Sequence, residues 1–231
     1  GSYSVTPAVL TYNATPASRT YGAANPALTG TVTGFKLGQT ASLLTGTATW
    51  TTDAVAGSNV GNYAITGAGY AAGSNYTFAQ ATDNATAFTV NPASLIVTAN
   101  NAAKTYDSLA YNGGNGVTFG AFANGEDASV LGGTVAYSGS AQGAVNAGTY
   151  AITPSGLTSG NYTLTFVDGT LQVDKASLIL TPGNVTKTYD GTLAASATAG
   201  VQAGTQLFGP DSMSGGTFAF TDANAGTHKT V

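Results

Sequence analysis

Apolar and polar residues alternate over short stretches along the whole chain, and Gly, Pro, Asn and Asp punctuate them. Gly61-Asn-Tyr-Ala-Ile-Thr66 sets Tyr63 and Ile65 on one face of a strand against Ala64 and Thr66 on the other, and Gly148-Thr-Tyr-Ala-Ile-Thr153 repeats the pattern. The same reading predicts strands around Val9 and Leu10 and over 29–35, 47–50, 75–78 and 87–90, then over 93–98, 134–137, 161–166 and 170–173. The last two strands of each set are expected to close as a hairpin, the second across Asp168-Gly169, a short-turn signal. Short helical turns are expected at 40–45, with Thr40 as cap, and at 126–132. Residues 209–213 and 217–220 fill the helical and middle-strand slots once more. The pattern predicts a mainly β chain with helix well below the roughly 30–35% of ordinary soluble proteins.

The strands recur because the sequence does. Ala93-Ser-Leu-Ile-Val-Thr98 with Lys104-Thr-Tyr-Asp107 returns 83 residues later as Ala176-Ser-Leu-Ile-Leu-Thr181 with Lys187-Thr-Tyr-Asp-Gly191. A looser copy, Pro7-Ala-Val-Leu-Thr-Tyr12 with Arg19-Thr-Tyr-Gly22, precedes them. This period exceeds the roughly 20–50 residues of a solenoid coil and suits small tandem domains. Residues 1–6 read as the last strand of a preceding repeat or as a tag, 7–91 as repeat 1, 92–174 as repeat 2 and 175–231 as a partial repeat 3 that stops at Thr230-Val231 before its closing strand. Repeat 3 is expected to be the least stable, with completion by a neighbouring chain through strand addition as the alternative. The last strand of one repeat runs within two or three residues into the first of the next, which restricts hinging and favours an elongated rod.

Composition narrows the function classes. Charged residues make up 7% of the chain against a usual value of about 25%. Hydrophobic residues reach 42%, so there is apolar surface to bury and the chain reads as folded. A net charge of -4 with six Lys plus Arg argues against nucleic acid and against anionic membrane surfaces. No apolar run is long enough to span a membrane as a helix. Without cysteine there is no disulfide, thiol nucleophile or thiolate metal site, and this low-Lys, Thr/Asn/Gly-rich composition is typical of bacterial surface proteins.

Lys187-Thr-Tyr-Asp-Gly191, Lys104-Thr-Tyr-Asp107 and Arg19-Thr-Tyr-Gly22, with Gly-x-Tyr-Ala-Ile-Thr and Asn-Tyr-Thr downstream, resemble the MBG and YDG repeats of large secreted bacterial adhesins of the filamentous-haemagglutinin type, often exported by two-partner secretion. Repeats 1 and 2 resemble MBG repeats and repeat 3 resembles a YDG repeat, with Asp222-Ala-Asn-Ala-Gly-Thr227 adding to the likeness. The resemblance implies small β-rich, β-grasp-like domains, each with one short helical turn, strung as a stalk on a secreted or surface protein. It implies no catalysis and fixes no ligand.

The candidate residues differ in the chemistry they could carry. Trp50 invites a carbohydrate-stacking role, but Tyr137 and Phe220 hold its slot in the other repeats, which fits a core anchor better. In the Tyr106-Asp107 and Tyr189-Asp190 pairs, Asp reads as a turn residue accepting backbone N–H bonds and Tyr as a plug at the domain edge. Glu126-Asp127 has none of the spaced oxygens of a calcium loop, and no metal or cofactor is expected. Lys104 and Lys187 share a slot that could serve an isopeptide bond, but Arg19 fills it in repeat 1. His228 is the sole histidine, so neither complete repeat can hold a Ser-His-Asp arrangement. The acidic residues lie in turns or at strand ends, where near-normal pKa values are expected and no glycosidase pair forms. Sequons at Asn13, Asn75, Asn84, Asn161 and Asn184 arise from composition. These readings favour a non-enzymatic spacer whose partners are neighbouring repeats. The alternative is a module recognising an extracellular glycan or host glycoprotein, for which Tyr70, Tyr111 and Phe122, the aromatics with the least regular repeat partners, are the first ligand-binding candidates.

Overall fold

A computed structural model of the chain describes residues 1–214 and 216–229. It is mainly β, with 41% strand and 6% helical residues. The helical residues form short 3-10 turns at Ala41–Leu43, Thr82–Thr86, Ala123–Gly125 and Ala128–Val130. Repeat 1 holds β1 (Ala8–Ala14), β2 (Ala17–Thr20), β3 (Gly30–Thr33), β4 (Thr45–Thr51), β5 (Gly61–Tyr63), β6 (Thr66–Ala71), β7 (Tyr76–Gln80) and β8 (Phe88–Asn91). Repeat 2 holds β9 (Ala93–Ala99), β10 (Ala102–Thr105), β11 (Val117–Phe119), β12 (Gly132–Ser138), β13 (Gly148–Thr158), β14 (Tyr162–Val167) and β15 (Gly169–Asp174). Repeat 3 holds β16 (Leu180–Pro182), β17 (Ala194–Ala195), β18 (Ala199–Val201) and β19 (Phe218–Ala219).

Each complete repeat splits its strands between sheets in the same way. In repeat 1 the order β3-β1-β7 forms one sheet, β2-β8-β5 a second and β4-β6 a third. In repeat 2 the corresponding sheets are β11-β9-β14 and β10-β15-β13-β12, because β13 runs without a break through the positions of both β5 and β6. Repeat 1 breaks there at Ala64-Ile65, where the Ile65 N–H turns to donate to the Asn84 carbonyl. The single alternating strand expected over 61–66 is therefore two strands, the second extending to Ala71.

The expected closing hairpins do not form. β7 lies parallel to β1 while β8 lies parallel to β2, and β14 pairs with β9 while β15 pairs with β10 and β13. Gly169 does not take the positive φ that a two-residue hairpin turn requires. It is buried at the start of β15, and the next N–H, that of Thr170, donates to Asn101 Oδ1. Two apolar faces in succession are satisfied by sending consecutive strands to different sheets, with parallel partners reached by long crossovers.

The chain divides into two compact units that cut across the sequence repeats. Unit 1 comprises residues 1–99, 116–136 and 154–167, and unit 2 comprises 100–115, 137–153 and 168–231. The core of unit 1 joins Tyr21, Ile65, Phe88 and Val90 of repeat 1 to Leu95 and Tyr162 of repeat 2. Local sequence explains why. Phe88 and Val90 alternate inward on the central strand β8, Pro92 follows, and Leu95 and Val97 alternate inward on the central strand β9. Unit 2 buries Leu171 and Val173 of β15 with Ile152 of β13, again by alternation. Residues 1–7 form no strand, and Tyr3 and Val5 are exposed. Thr230 and Val231, on which the reading of a cut third repeat rests, lie outside the described residues.

Candidate functional site

A polar cluster of unit 1 lies where repeat 1 meets repeat 2. The turn after β2 presents Tyr21, and the turn before Ala128–Val130 presents Glu126. Tyr162 starts β14 from the other side. Tyr21 donates its hydroxyl hydrogen to Glu126 Oε1, and Tyr162 donates to Oε2 at 2.6 Å. The Tyr162 hydroxyl in turn accepts the Ala123 N–H at 2.9 Å. The two phenol rings meet edge to face at 5.6 Å, and Phe122 packs edge-on against Tyr162, also at 5.6 Å. Beside them Asn161 Oδ1 accepts the Val60 N–H at 3.0 Å, and its amide donates to Asn59 Oδ1 at 2.9 Å. One carboxylate thus takes a charge-assisted hydrogen bond on each oxygen, from two different repeats.

Gly22, directly after Tyr21, is required at this contact. Its φ of 82° is left-handed, and a Cβ there would stand 2.5 Å from Ala123 Cβ. Tyr21 is 5% exposed. Its hydrogen bond to Glu126, together with burial, raises the phenol above its usual pKa. Burial and the bond to Glu126 push Tyr162 up to about 12. Both groups are therefore held as neutral donors.

Unit 2 carries a related contact. Tyr106 and Asp211 line one groove, and the Asp211 carboxylate raises the phenol above its usual pKa, with desolvation adding to the effect. Its ring meets Phe208 edge to face at 6.0 Å. The Tyr21–Glu126 and Tyr106–Asp211 pairs share the same spacing of 105 residues. Within repeat 1, Gln39 occupies the Glu126 slot, and Tyr76 donates to its Oε1 at 2.5 Å while accepting the Lys36 N–H at 2.9 Å. Among the three slots, only the amide of Gln39 is neutral.

The Lys/Arg slot before each motif tyrosine stiffens the same turn. Lys104 Nζ lies 2.6 Å from Asp107 Oδ1, and Lys187 Nζ lies 2.7 Å from Asp190 Oδ1. Each carboxylate also accepts a backbone N–H, from Leu109 and Thr192 respectively, so the turn role read for these aspartates is present and the lysine partner adds to it. The near-normal acidity expected for the carboxylates does not hold at Asp107, Asp127, Asp190 and Asp222. The Lys187 ammonium, with the Thr192 N–H, lowers Asp190 to about 2, and Lys104 and Lys229 lower Asp107 and Asp222 in the same manner. The Ser129 side chain and N–H lower Asp127. In repeat 1 Arg19 is buried and replaces the ion pair with Asn25 Oδ1 at 2.7 Å and the carbonyls of Val55 and Thr20.

Residues 10–88 and 95–172 match the MBG domain (YGX type) family, with Tyr21-Gly22 at the junction just described. The chain belongs to the MBG family. Residues 174–231 of this MBG protein match the YDG domain. MBG and YDG domains are repeat domains of the kind found in adhesin-like proteins. No curated protein and no solved structure matches the chain.

The aromatic candidates are half-buried and each is engaged. Tyr70 stacks on Tyr12 at 6.3 Å, Phe122 packs on Tyr162 and Phe119, and Tyr111 exchanges backbone bonds with Gly143 and Ala144 in unit 2. Tyr70 and Phe122 sit in separate aromatic groups. Trp50 meets Tyr12 edge to face at 5.7 Å and presses on Gly30 and Gly67, as a packing residue does. Thr40 occupies the N-cap of its 3-10 turn, yet its hydroxyl pairs with Ser42 Oγ and not with a backbone N–H, whereas Asp127 caps with the Ser129 N–H. The sequon residue Asn84 is buried, and its amide is bonded to the Tyr12 carbonyl, Gln80 and the Ala14 N–H. Among the described residues no group of three His, Asp or Glu side chains could hold a metal, and no helix is long and apolar enough to cross a membrane. Sequence reasoning missed Glu126, Asp211, Asn161 and Tyr162 as partners. The signal was the shared 105-residue spacing between tyrosine and acid.

Proposed function

We propose that this MBG protein is a non-enzymatic stalk or spacer segment of a secreted or cell-surface bacterial adhesin, exported by two-partner secretion and supporting adhesion or biofilm formation. The observation that carries this reading is the Tyr21–Glu126–Tyr162 contact between repeats 1 and 2. Two buried tyrosines, one from each repeat, are used to join repeat 1 to repeat 2, with both oxygens of the Glu126 carboxylate occupied by their phenols. A glycosidase would need two carboxylates roughly 5–10 Å apart and open to substrate, and the carboxyl of Glu126 is committed elsewhere. Small-angle scattering on chains with one and two added repeats tests the reading. A constant increment in maximum dimension per repeat is expected, with polysaccharide left unhydrolysed. A dimension that stays constant as repeats are added, or turnover abolished by Asp107→Asn, would overturn it.

A further inference from the structure

The first and last strands of each complete repeat lie side by side and point the same way. In repeat 1, β1 pairs in parallel with β7, from Ala8 opposite Tyr76 to Tyr12 opposite Gln80. β2 pairs in parallel with β8, from Ala17 opposite Phe88 to Thr20 opposite Asn91. Repeat 2 shows the same pairing, β9 with β14 within unit 1 and β10 with β15 within unit 2. β1 and β2 form one arm, broken only by Thr15-Pro16, and β7 and β8 form the other, joined through the 3-10 turn Thr82–Thr86. The chain enters repeat 1 at the start of the first arm and leaves it at the end of the second. Direction then decides how tension acts. Pulling the two ends apart draws parallel arms past one another, so the ladder bonds between them are loaded together, whereas antiparallel arms would open from one end, bond by bond.

The place where the arms change sheet is bonded as well. Asn84, 4% exposed, accepts the Ala14 N–H at 2.8 Å and donates to the Tyr12 carbonyl at 3.0 Å. The Ala81 N–H donates to the same carbonyl and the Ala17 N–H to the Ala87 carbonyl, each at 2.9 Å. β1 and β8 are the central strands of their sheets, so neither slides without also breaking its bonds to β3 or β5. Sliding would further drag the buried Leu10, Tyr12, Phe88 and Val90 across close-packed neighbours.

We propose that repeat 1 is a load-bearing element, a shear clamp whose parallel arms resist tension along the chain, with Asn84 as the residue that locks the arms where they change sheet. A spacer need only hold a distance, and this function adds resistance to pull. The proposal rests on the stalk reading for the source of the tension alone, so scattering tests that reading and rupture force tests the clamp.

The chain has no cysteine, so paired Ser→Cys substitutions at exposed positions give unique handles for single-molecule pulling on the full chain. Ser2→Cys with Ser94→Cys loads the arms of repeat 1 in shear. Ser2→Cys with Ser74→Cys loads the same β1–β7 pair from the end where Ala8 faces Tyr76, and peels it. At one loading rate the first pair of handles should rupture at several-fold higher force than the second, followed by a gain of about 250–300 Å, given roughly 3.3–3.6 Å per extended residue. Rupture force reports the barrier to unfolding, which equilibrium stability does not. Asn84→Ala should lower the shear force and leave the onset of peeling unchanged, because peeling begins at Ala8 and reaches Tyr12 and Ala14 last. Equal forces in the two geometries, or a higher force for peeling, would overturn the clamp, and an equal fall in both geometries in Asn84→Ala would overturn the role of Asn84. The comparison of geometries needs no core substitution, so it decides the matter even where Asn84→Ala fails to fold.

Discussion

At the scale of single residues, the junction turns on how one carboxylate is shared. Glu126 offers two oxygens and receives a phenol on each, while Gln39, at the same slot in repeat 1, has one carbonyl oxygen and receives Tyr76. Tyr21→Phe should therefore destabilise unit 1 by roughly 1.5–3 kcal/mol, the range for a hydrogen bond to a charged group, and by less in a Glu126→Gln background. Urea unfolding of the four proteins of this cycle measures the difference, and equal losses in both backgrounds would exclude the bond as the cause. Titration gives a second handle. The folded state holds the Tyr162 phenol at about 12 against an ordinary 10.0 because burial and the Glu126 bond disfavour phenolate. A raised folded pKa contributes stability that is fully present below pH 10 and is lost as pH rises through about 12. The urea midpoint should fall across that window, and Tyr162→Phe should flatten the fall while removing a late-titrating tyrosine from the phenolate absorbance curve.

At the scale of elements, alternation made the strands legible and left their partners illegible. Phe88, Val90, Leu95, Val97, Leu171 and Val173 all point inward as a period of two requires. Pairing depends on which sheet receives each strand, and Asp168-Gly169 carried a turn signal that tertiary packing overrode by burying Gly169 in β15. The break between β5 and β6 was likewise invisible locally, since it depends on the Asn84 carbonyl taking the Ile65 N–H from 19 positions away. The tyrosine motif was visible, but its acidic partner emerges only when spacings are compared between repeats. Alternation also yields a paired prediction on β9. Leu95→Ala removes a fully buried side chain and should cost about 2–5 kcal/mol, whereas Ile96→Ala, 49% exposed on the opposite face, should stay within about 0.5 kcal/mol. Leu178→Ala, at the Leu95 slot of repeat 3, should cost far less than Leu95→Ala. Thermal melts of the three variants rank them.

At the scale of the whole molecule, the sequence repeat and the folding unit are offset. Repeat 1 supplies Tyr21, Ile65, Phe88 and Val90 to the core of unit 1, and repeat 2 supplies Leu95 and Tyr162, with Phe119, Phe122 and Leu164 packed around them. A fragment ending at residue 91 would keep every strand of repeat 1 yet leave the outer side of Phe88 and Val90 without those partners, and would leave the Tyr21 hydroxyl without Glu126. Each large side chain uncovered in this way costs about 1.5–3 kcal/mol, so a small domain loses a substantial share of its total stability. Trp50 provides the reporter, because it is the only tryptophan, meets Tyr12 edge to face and packs against the core of unit 1. Trp50 emission should follow the unfolding of fragments 1–91 and 1–174, with the shorter one unfolding at clearly lower urea. Equal midpoints would mean that repeat 1 folds independently of its neighbour and that the shared core contributes nothing to it. A lower midpoint restored by adding residues 92–174 in trans would place the missing stability in the contact between repeats, with no need for the covalent link at Pro92.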